Sequence, residues 1–144
     1  MLAIDFECDY AELAVIASDE GVLIAPTLHP LVHELLWTAD VKARYVFGGH
    51  GVKLCNNAID TQAKLARCFP LPDKSMLSLC DALNIIHPPE SNHRYRKDKS
   101  IYERTNWSQI ASGERSINAE QRQFCLINGY ASLMVARYCT RGCF

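Results

Sequence analysis

Short apolar runs separated by turn residues mark the beginning of the chain. Residues 2–7, 10–18 and 22–25 are such runs, and Asp19-Glu20-Gly21 between the last two is a turn signal. Runs of this length joined by tight turns pair as antiparallel strands. The pattern therefore predicts a three-stranded antiparallel meander over residues 2–25, with a helix over residues 11–17 as the alternative.

Farther along, the apolar spacing becomes helical, with single strands between the helices. Leu31, Val32, Leu35 and Leu36 recur at helical spacing, which predicts an amphipathic helix near Pro30. Asn118-Ala119-Glu120-Gln121 has the form of a capping box, which predicts the start of a long last helix. The predicted elements are helices at residues 30–39, 61–68 and 75–83, strands at residues 44–47 and 57–60, a polar, basic loop at residues 87–105, and a helix from residue 118 onward.

This order of elements predicts the α/β class. A meander followed by alternating strands and helices gives a mixed sheet, with three antiparallel strands joined to parallel strands and flanked by helices. The length of 144 residues corresponds to one domain, so we expect a single domain over residues 1–144.

Charge and cysteine content narrow the classes of function. The formal net charge of -1 and the pI near 6.5 exclude a generally basic nucleic-acid-binding protein but allow a local basic patch. The number of cysteines is odd, and no secretory signal or membrane-spanning apolar run is visible, so we expect free thiols and a cytoplasmic location without a membrane partner. The spacing of Cys125, Cys139 and Cys143 lacks the tight pairs of zinc sites, which favours buried thiols.

The first candidate for chemistry is Asp5-Phe6-Glu7 in the first predicted strand. Residues two apart in a strand point to the same face, so the two carboxylates share one face near the strand's end. Such a pair can hold a divalent cation, because Mg²⁺ takes oxygen ligands. The competing interpretation is that both acids are solvated or bonded to neighbouring backbone.

A second and a third motif follow in order. Asp60-Thr61-Gln62 leads from a predicted strand into a helix, and Trp107 precedes the last helix with Phe124 and Asn128. Together with Asp5 and Glu7, this order resembles the 3′–5′ exonuclease domain of the DEDD superfamily, nearest the ribonuclease D and Egalitarian-type branch. The resemblance covers nearly the whole chain and implies a ribonuclease-H-like fold.

This chain departs from the family pattern at positions that matter for exonuclease activity. The family's last helix carries Tyr-x-x-x-Asp, where this chain has Phe124 and Asn128. The family's second motif is a helix with a metal-binding Asp, but here Phe47–Val52 runs almost directly into Lys53, so that helix and its acid are predicted to be missing. Cleavage with two metals needs several negative oxygens. The resemblance therefore implies a degenerate active site in which no residue is catalytic. The degenerate positions are Asp5, Glu7, Phe124 and Asn128. It implies no cofactor beyond one weakly held Mg²⁺ on Asp5 and Glu7.

The predicted basic loop supplies the candidate RNA-binding residues. Basic side chains neutralise phosphates, and tyrosines stack on bases. The competing interpretations are a solvated loop and a protein-binding loop, since Tyr and Arg are also common in interfaces. The candidates are Arg94, Tyr95, Arg96, Lys97, Lys99, Tyr102 and Arg104.

Three functions follow from these observations. The first is an inactive exonuclease-like domain that binds RNA or a ribonucleoprotein, such as a ribosome, as a regulatory or adaptor factor. The second is an active Mg²⁺- or Mn²⁺-dependent 3′–5′ exoribonuclease that takes a further acid from Asp9 or Asp60. The third is a protein–protein adaptor without a nucleic-acid role, which an exposed apolar patch would favour.

Overall fold

The described part of the chain contains one mixed sheet. The computed structural model describes residues 1–7, 11–41, 43–69, 78–87, 95–96 and 98–141. Within them the strands are β1 (Leu2–Glu7), β2 (Leu13–Ser18), β3 (Gly21–Pro26), β4 (Arg44–Val46) and β5 (Ala58–Asp60). The sheet order is β3-β2-β1-β4-β5, with β1, β2 and β3 antiparallel and with β4 parallel to both β1 and β5. The predicted α/β class and mixed sheet are confirmed.

The antiparallel meander forms where the apolar pattern predicts it. Ile4 pairs with Ile16, and Ile16 pairs with Leu23 across the next ladder. The alternative of a helix over residues 11–17 is wrong, because β2 is buried on both faces between its neighbours and therefore tolerates a continuous apolar run. The strand begins at Leu13 rather than at residue 10, and residues 8–10 lie outside the described residues.

Helices cover both faces of the sheet. They are α1 (Pro30–Trp37), α2 (Gly49–Val52), α3 (Thr61–Cys68), α4 (Leu79–Ile86), α5 (Lys99–Arg104), α6 (Trp107–Ala111) and α7 (Ala119–Arg141). On one face, Val32 and Leu36 of α1 pack with Ile4 and Val46. On the other face, Leu133 and Ala136 of α7 pack with Ala3, and this second layer covers the side chains of the acidic strand β1.

The last helix has the predicted capping box. Asn118 N–H donates to Gln121 Oε1 at 3.0 Å, and Gln121 N–H donates to Asn118 Oδ1 at 2.8 Å. Farther along the helix, Gly129 lets α7 approach the sheet closely. A Cβ at this glycine would lie 3.0 Å from Val22 Cγ1 and 3.1 Å from Val15 Cγ1, so a larger residue would push the helix away from the strands.

Arg44 ties the parallel part of the sheet to α1. The residue is 3% exposed, and its three side-chain nitrogens donate to the carbonyl oxygens of Leu35 at 2.7 Å, Ala39 at 2.7 Å and Asn56 at 3.1 Å. A buried cation is stable only when its donors are satisfied, and here backbone dipoles satisfy them. Nothing in the sequence distinguished Arg44 from a surface arginine.

The structure corrects three predicted elements. A one-turn helix, α2, lies between β4 and β5, so the prediction that no helix follows β4 is wrong, although α2 carries no acid. Residues 99–104 form α5 rather than part of a loop, because Asp98 caps the helix and its apolar side packs on α7. The helix predicted at residues 75–83 begins at Leu79, after the cap Ser78, and residues 75–77 lie outside the described residues.

In the described portion, no helix combines the length and hydropathy that crossing a bilayer requires.

Candidate functional site

Asp5 and Glu7 share one face of β1, as their spacing predicts. That face is the one covered by α7, since Ala3 on the same face packs against Leu133 and Ala136. The two acids differ in exposure. Glu7 is 3% exposed, whereas Asp5 is only partly buried and borders a cleft.

Asn128 bonds directly to Glu7. Its Nδ2 donates to Glu7 Oε1 at 2.5 Å, in a buried contact between the last helix and the first strand. Asn128 is 1% exposed, and its Oδ1 has no hydrogen-bond partner among the described residues; nor has the hydroxyl of Ser132, one turn farther along α7. The position that the family resemblance assigns to a fourth acid is therefore an amide that donates to the second acid.

A cleft opens beside the acids. It has a volume of about 380 Å³ and is lined by Asp5, Phe6, Glu7, Lys99, Tyr102, Glu103 and Phe124. The acidic strand, the start of α7 and the short helix α5 thus meet around one space. Of the predicted RNA-binding residues, Lys99 and Tyr102 lie here, next to Asp5, Glu7 and Phe124.

An aromatic cluster holds α5 over this cleft. Tyr102 lies 6.1 Å from Trp107 and 6.0 Å from Phe124, measured between ring centroids, and Trp107 lies 5.7 Å from Phe124. Trp107 Nε1 also donates to the carbonyl oxygen of Tyr102 at 3.2 Å. Because Trp107 and Phe124 are buried while Tyr102 is 36% exposed, part of the tyrosine ring remains accessible from the cleft.

The other predicted RNA-binding residues that the structure describes do not line this cleft. Tyr95 packs against Tyr130 with ring centroids 6.3 Å apart, and its backbone exchanges two hydrogen bonds with Asn84 of α4. Arg104 bonds back to Ser100 on its own helix, and Arg96 is exposed. Arg94 and Lys97 lie outside the described residues. The basic segment is thus divided, with Tyr95 serving as an anchor between helices.

Asp60 has a structural role. Its Oδ1 accepts hydrogen bonds from the backbone N–H groups of Gln62 at 3.0 Å, Ala63 at 3.2 Å and Gly48 at 2.9 Å. This carboxylate caps α3 and fixes the turn before α2. Asp60 is therefore committed to the backbone rather than to the cleft, and Asp9, the other acid considered for catalysis, lies outside the described residues.

The donor set differs from that of a two-metal centre. Glu103 adds a third carboxylate to the cleft, but the described residues contain no group of three acidic, histidine or cysteine side chains close enough to hold a metal ion. One oxygen of Glu7 accepts a hydrogen bond from Asn128. One weakly held Mg²⁺ on Asp5 and Glu7 stays a prediction.

A buried thiol lies behind the acids. Burial, together with the nearby charges of Glu7 and Asp5, raises the pKa of Cys125 to about 12. Burial also raises the pKa of Cys55 to about 11, with Arg44 lowering it in part. Both thiols are free and protonated near neutral pH, as predicted for core cysteines; Cys8 and Cys143 lie outside the described residues.

Sequence reasoning missed Glu103 and Phe6 as cleft residues. Lys99, Tyr102 and Glu103 are spaced as one face of a helix, and Asp98 before them is a good helix cap. That spacing would have placed Glu103 beside Lys99 had the segment been treated as a helix.

Comparisons with known proteins assign no family to this arrangement. Neither protein-family models, nor curated proteins, nor solved structures show a match to the chain.

Proposed function

We propose that this domain binds single-stranded RNA in the cleft beside Asp5 and Glu7 and does not cleave it. The observation that carries the proposal is the meeting of Lys99 and Tyr102 of α5 with the acids of β1 around one cleft. The resemblance to exonuclease domains motivates the choice of RNA as ligand.

Each side of the cleft suits a different part of a nucleotide. The exposed ammonium of Lys99 suits a phosphate, and the accessible part of the Tyr102 ring suits stacking with a base. A carboxylate such as Asp5 accepts hydrogen bonds from ribose hydroxyls or from exocyclic amines of bases. The charges are mixed, so affinity would come from stacking and hydrogen bonds as well as from phosphate contacts.

The bond between Asn128 and Glu7 supports binding without cleavage. Metal-assisted phosphodiester hydrolysis requires carboxylates that hold cations against both the attacking and the leaving oxygen. Here an amide occupies the place of one carboxylate and donates to another at 2.5 Å. An Asn can orient a ligand but supplies no charge for a cation.

The test follows binding and product length on the same sample. A labelled single-stranded RNA of about 16 nucleotides is incubated with the protein in Mg²⁺ or in Mn²⁺. We expect a complex that weakens with salt and RNA of unchanged length. Tyr102→Leu combined with Lys99→Gln should weaken binding about tenfold or more, whereas Lys53→Gln, an exposed lysine outside the cleft, should not.

Two outcomes would overturn the proposal. Shortened RNA that persists until Asp5 and Glu7 are replaced would identify an active exonuclease. Absence of RNA binding would favour the function as a protein–protein adaptor, which one observation supports. Leu28 is 89% exposed and lines, with Trp37 and Leu54, an apolar groove of about 420 Å³.

A further inference from the structure

Among the described residues, no strand pairs with the outer edge of the sheet at β3. β3 is the terminal strand of the sheet formed by the described residues, and its other neighbour is β2. Ser18 pairs with Gly21 next to the two-residue turn, and Thr27 N–H donates to Glu12 at 2.8 Å at the far end of the hairpin. In an antiparallel pair, hydrogen-bonded and non-hydrogen-bonded positions alternate. Val22 and Ile24 therefore direct their N–H and C=O groups away from β2, toward this outer edge.

This edge lacks the usual protection against pairing. Exposed edge strands are normally blunted by charged side chains, prolines or bulges. The strand Gly21–Pro26 has no charged residue, its proline stands at the very end, and Leu23 is 43% exposed. An uncharged edge with an exposed leucine is the kind of surface to which a further strand adds.

A groove runs along the same edge. It has a volume of about 530 Å³ and lies between β3, the segment after α6 and the start of α7. Its apolar lining includes Val22, Ile24, Ile117 and Leu126. Arg115 and Arg122 line it as well, and no acidic residue is among the described residues that form it.

Arg115 and Arg122 give the groove a preference for negatively charged ligands. Both are exposed, and neither forms an ion pair with any other described residue. Val22 and Ile24 point to the face of the sheet that carries α7, so the side chains of an added strand on that face would reach the arginines. Side chains on its opposite face would lie beside Leu23.

We propose that the β3 edge and this groove bind an extended segment of a partner protein in which acidic and apolar residues alternate. The segment adds a sixth strand through the backbone of Val22 and Ile24. Its acidic side chains pair with Arg115 and Arg122, and its apolar side chains pack beside Leu23. Backbone pairing supplies affinity and the arginines supply selectivity. This surface is separate from the cleft at Asp5.

The test uses a fluorescent heptapeptide of alternating glutamate and valine and measures its anisotropy with the full chain. Two matched peptides are controls: one with lysine in place of glutamate, and one with N-methyl groups on all of its residues. We expect the glutamate peptide to bind and both controls to bind at least about tenfold more weakly. Arg115→Gln with Arg122→Gln should weaken the glutamate peptide similarly, and the same change at Arg104 and Arg141 should not. Bound peptide should slow hydrogen exchange of the Val22 and Ile24 amides.

Equal binding of the N-methylated peptide would overturn strand addition, since those N–H groups would be dispensable. Equal binding of the lysine peptide would overturn the acidic preference. Binding of single-stranded RNA, but not of the glutamate peptide, in a manner that depends on Arg115 and Arg122 would assign the groove to nucleic acid and overturn the proposal. None of these outcomes alters the test at Lys99 and Tyr102.

Discussion

Asn128 on the last helix donates a buried hydrogen bond to Glu7 on the first strand, across 121 positions of sequence. The two side chains are 1% and 3% exposed, so the contact is shielded from water. In such surroundings a bond to a charged acceptor is stronger than a neutral one, and removal of either partner leaves a costly polar group. The contact links α7 to β1, and its acceptor, Glu7, also lines the cleft.

Replacing the amide by a carboxylate tests that relationship. Asn128→Asp places a second negative charge against buried Glu7, and we expect it to lower the free energy of unfolding by about 3 kcal/mol at pH 7. Lowering the pH should restore stability, because like charges raise the pKa of one carboxyl and a shared proton relieves the repulsion. Millimolar Mg²⁺ should raise the melting temperature of this variant more than that of the wild type.

The control is Asn118→Asp, which exchanges one good helix cap for another and should leave stability nearly unchanged. If Asn128→Asp is as stable as the wild type at pH 7 without a cation, the two side chains are not in contact.

Arg44 offers a test of the fold. Arg44→Met keeps the length of the side chain but removes three hydrogen bonds to the carbonyl oxygens of Leu35, Ala39 and Asn56. We expect a loss of about 3 kcal/mol in urea unfolding, because buried carbonyls lose charged donors. Arg104→Met removes an exposed arginine bonded only within its own helix and should change stability by no more than about 0.5 kcal/mol. Equal effects of the two changes would contradict the burial of Arg44.

The buried thiol of Cys125 predicts a dependence of stability on alkaline pH. Its pKa is about 12 in the folded protein against an ordinary value of 9.0, so the unfolded chain loses this proton first. The contribution is fully present below pH 9 and is lost as the pH rises toward about 12. The wild type should therefore lose stability relative to Cys125→Ala over this range, measured by urea unfolding at each pH. Val135→Ala, a core truncation without a titratable group, should shift stability by the same amount at every pH. If the difference in unfolding free energy between the wild type and Cys125→Ala does not change with pH, the pKa of Cys125 is not raised.

Asp98 caps the N-terminus of α5, the helix that lines one side of the cleft. The hydrogen bond from Ser100 to the Asp98 carboxylate lowers the pKa of this acid, so the cap is present above its ordinary pKa and is lost as the pH falls through the lowered value. Asp98→Ala should speed hydrogen exchange in Lys99–Arg104 and weaken RNA binding. Asp81→Ala, an acid in the first turn of α4 but not its cap, should do neither. Unchanged exchange in α5 after loss of Asp98 would show that packing alone holds the helix.

Local pattern alone determined much of this fold. The meander of β1, β2 and β3 follows from short apolar runs and one tight turn, the start of α7 follows from its capping box, and the shared face of Asp5 and Glu7 follows from the period of a strand. Each depends on residues within a few positions of one another, which is why sequence reasoning reaches them.

Tertiary structure decided the composition of the cleft. Lys99–Arg104 is charged and short, and its sequence predicted a loop; it is a helix because Tyr102 packs against Trp107 and Phe124. Tyr95 packs against Tyr130 of α7 and its backbone bonds to Asn84 of α4, which are contacts between distant positions. Asn128 reaches Glu7 only after α7 has docked on the sheet. These contacts join distant positions, and packing free energy rather than local propensity selects them.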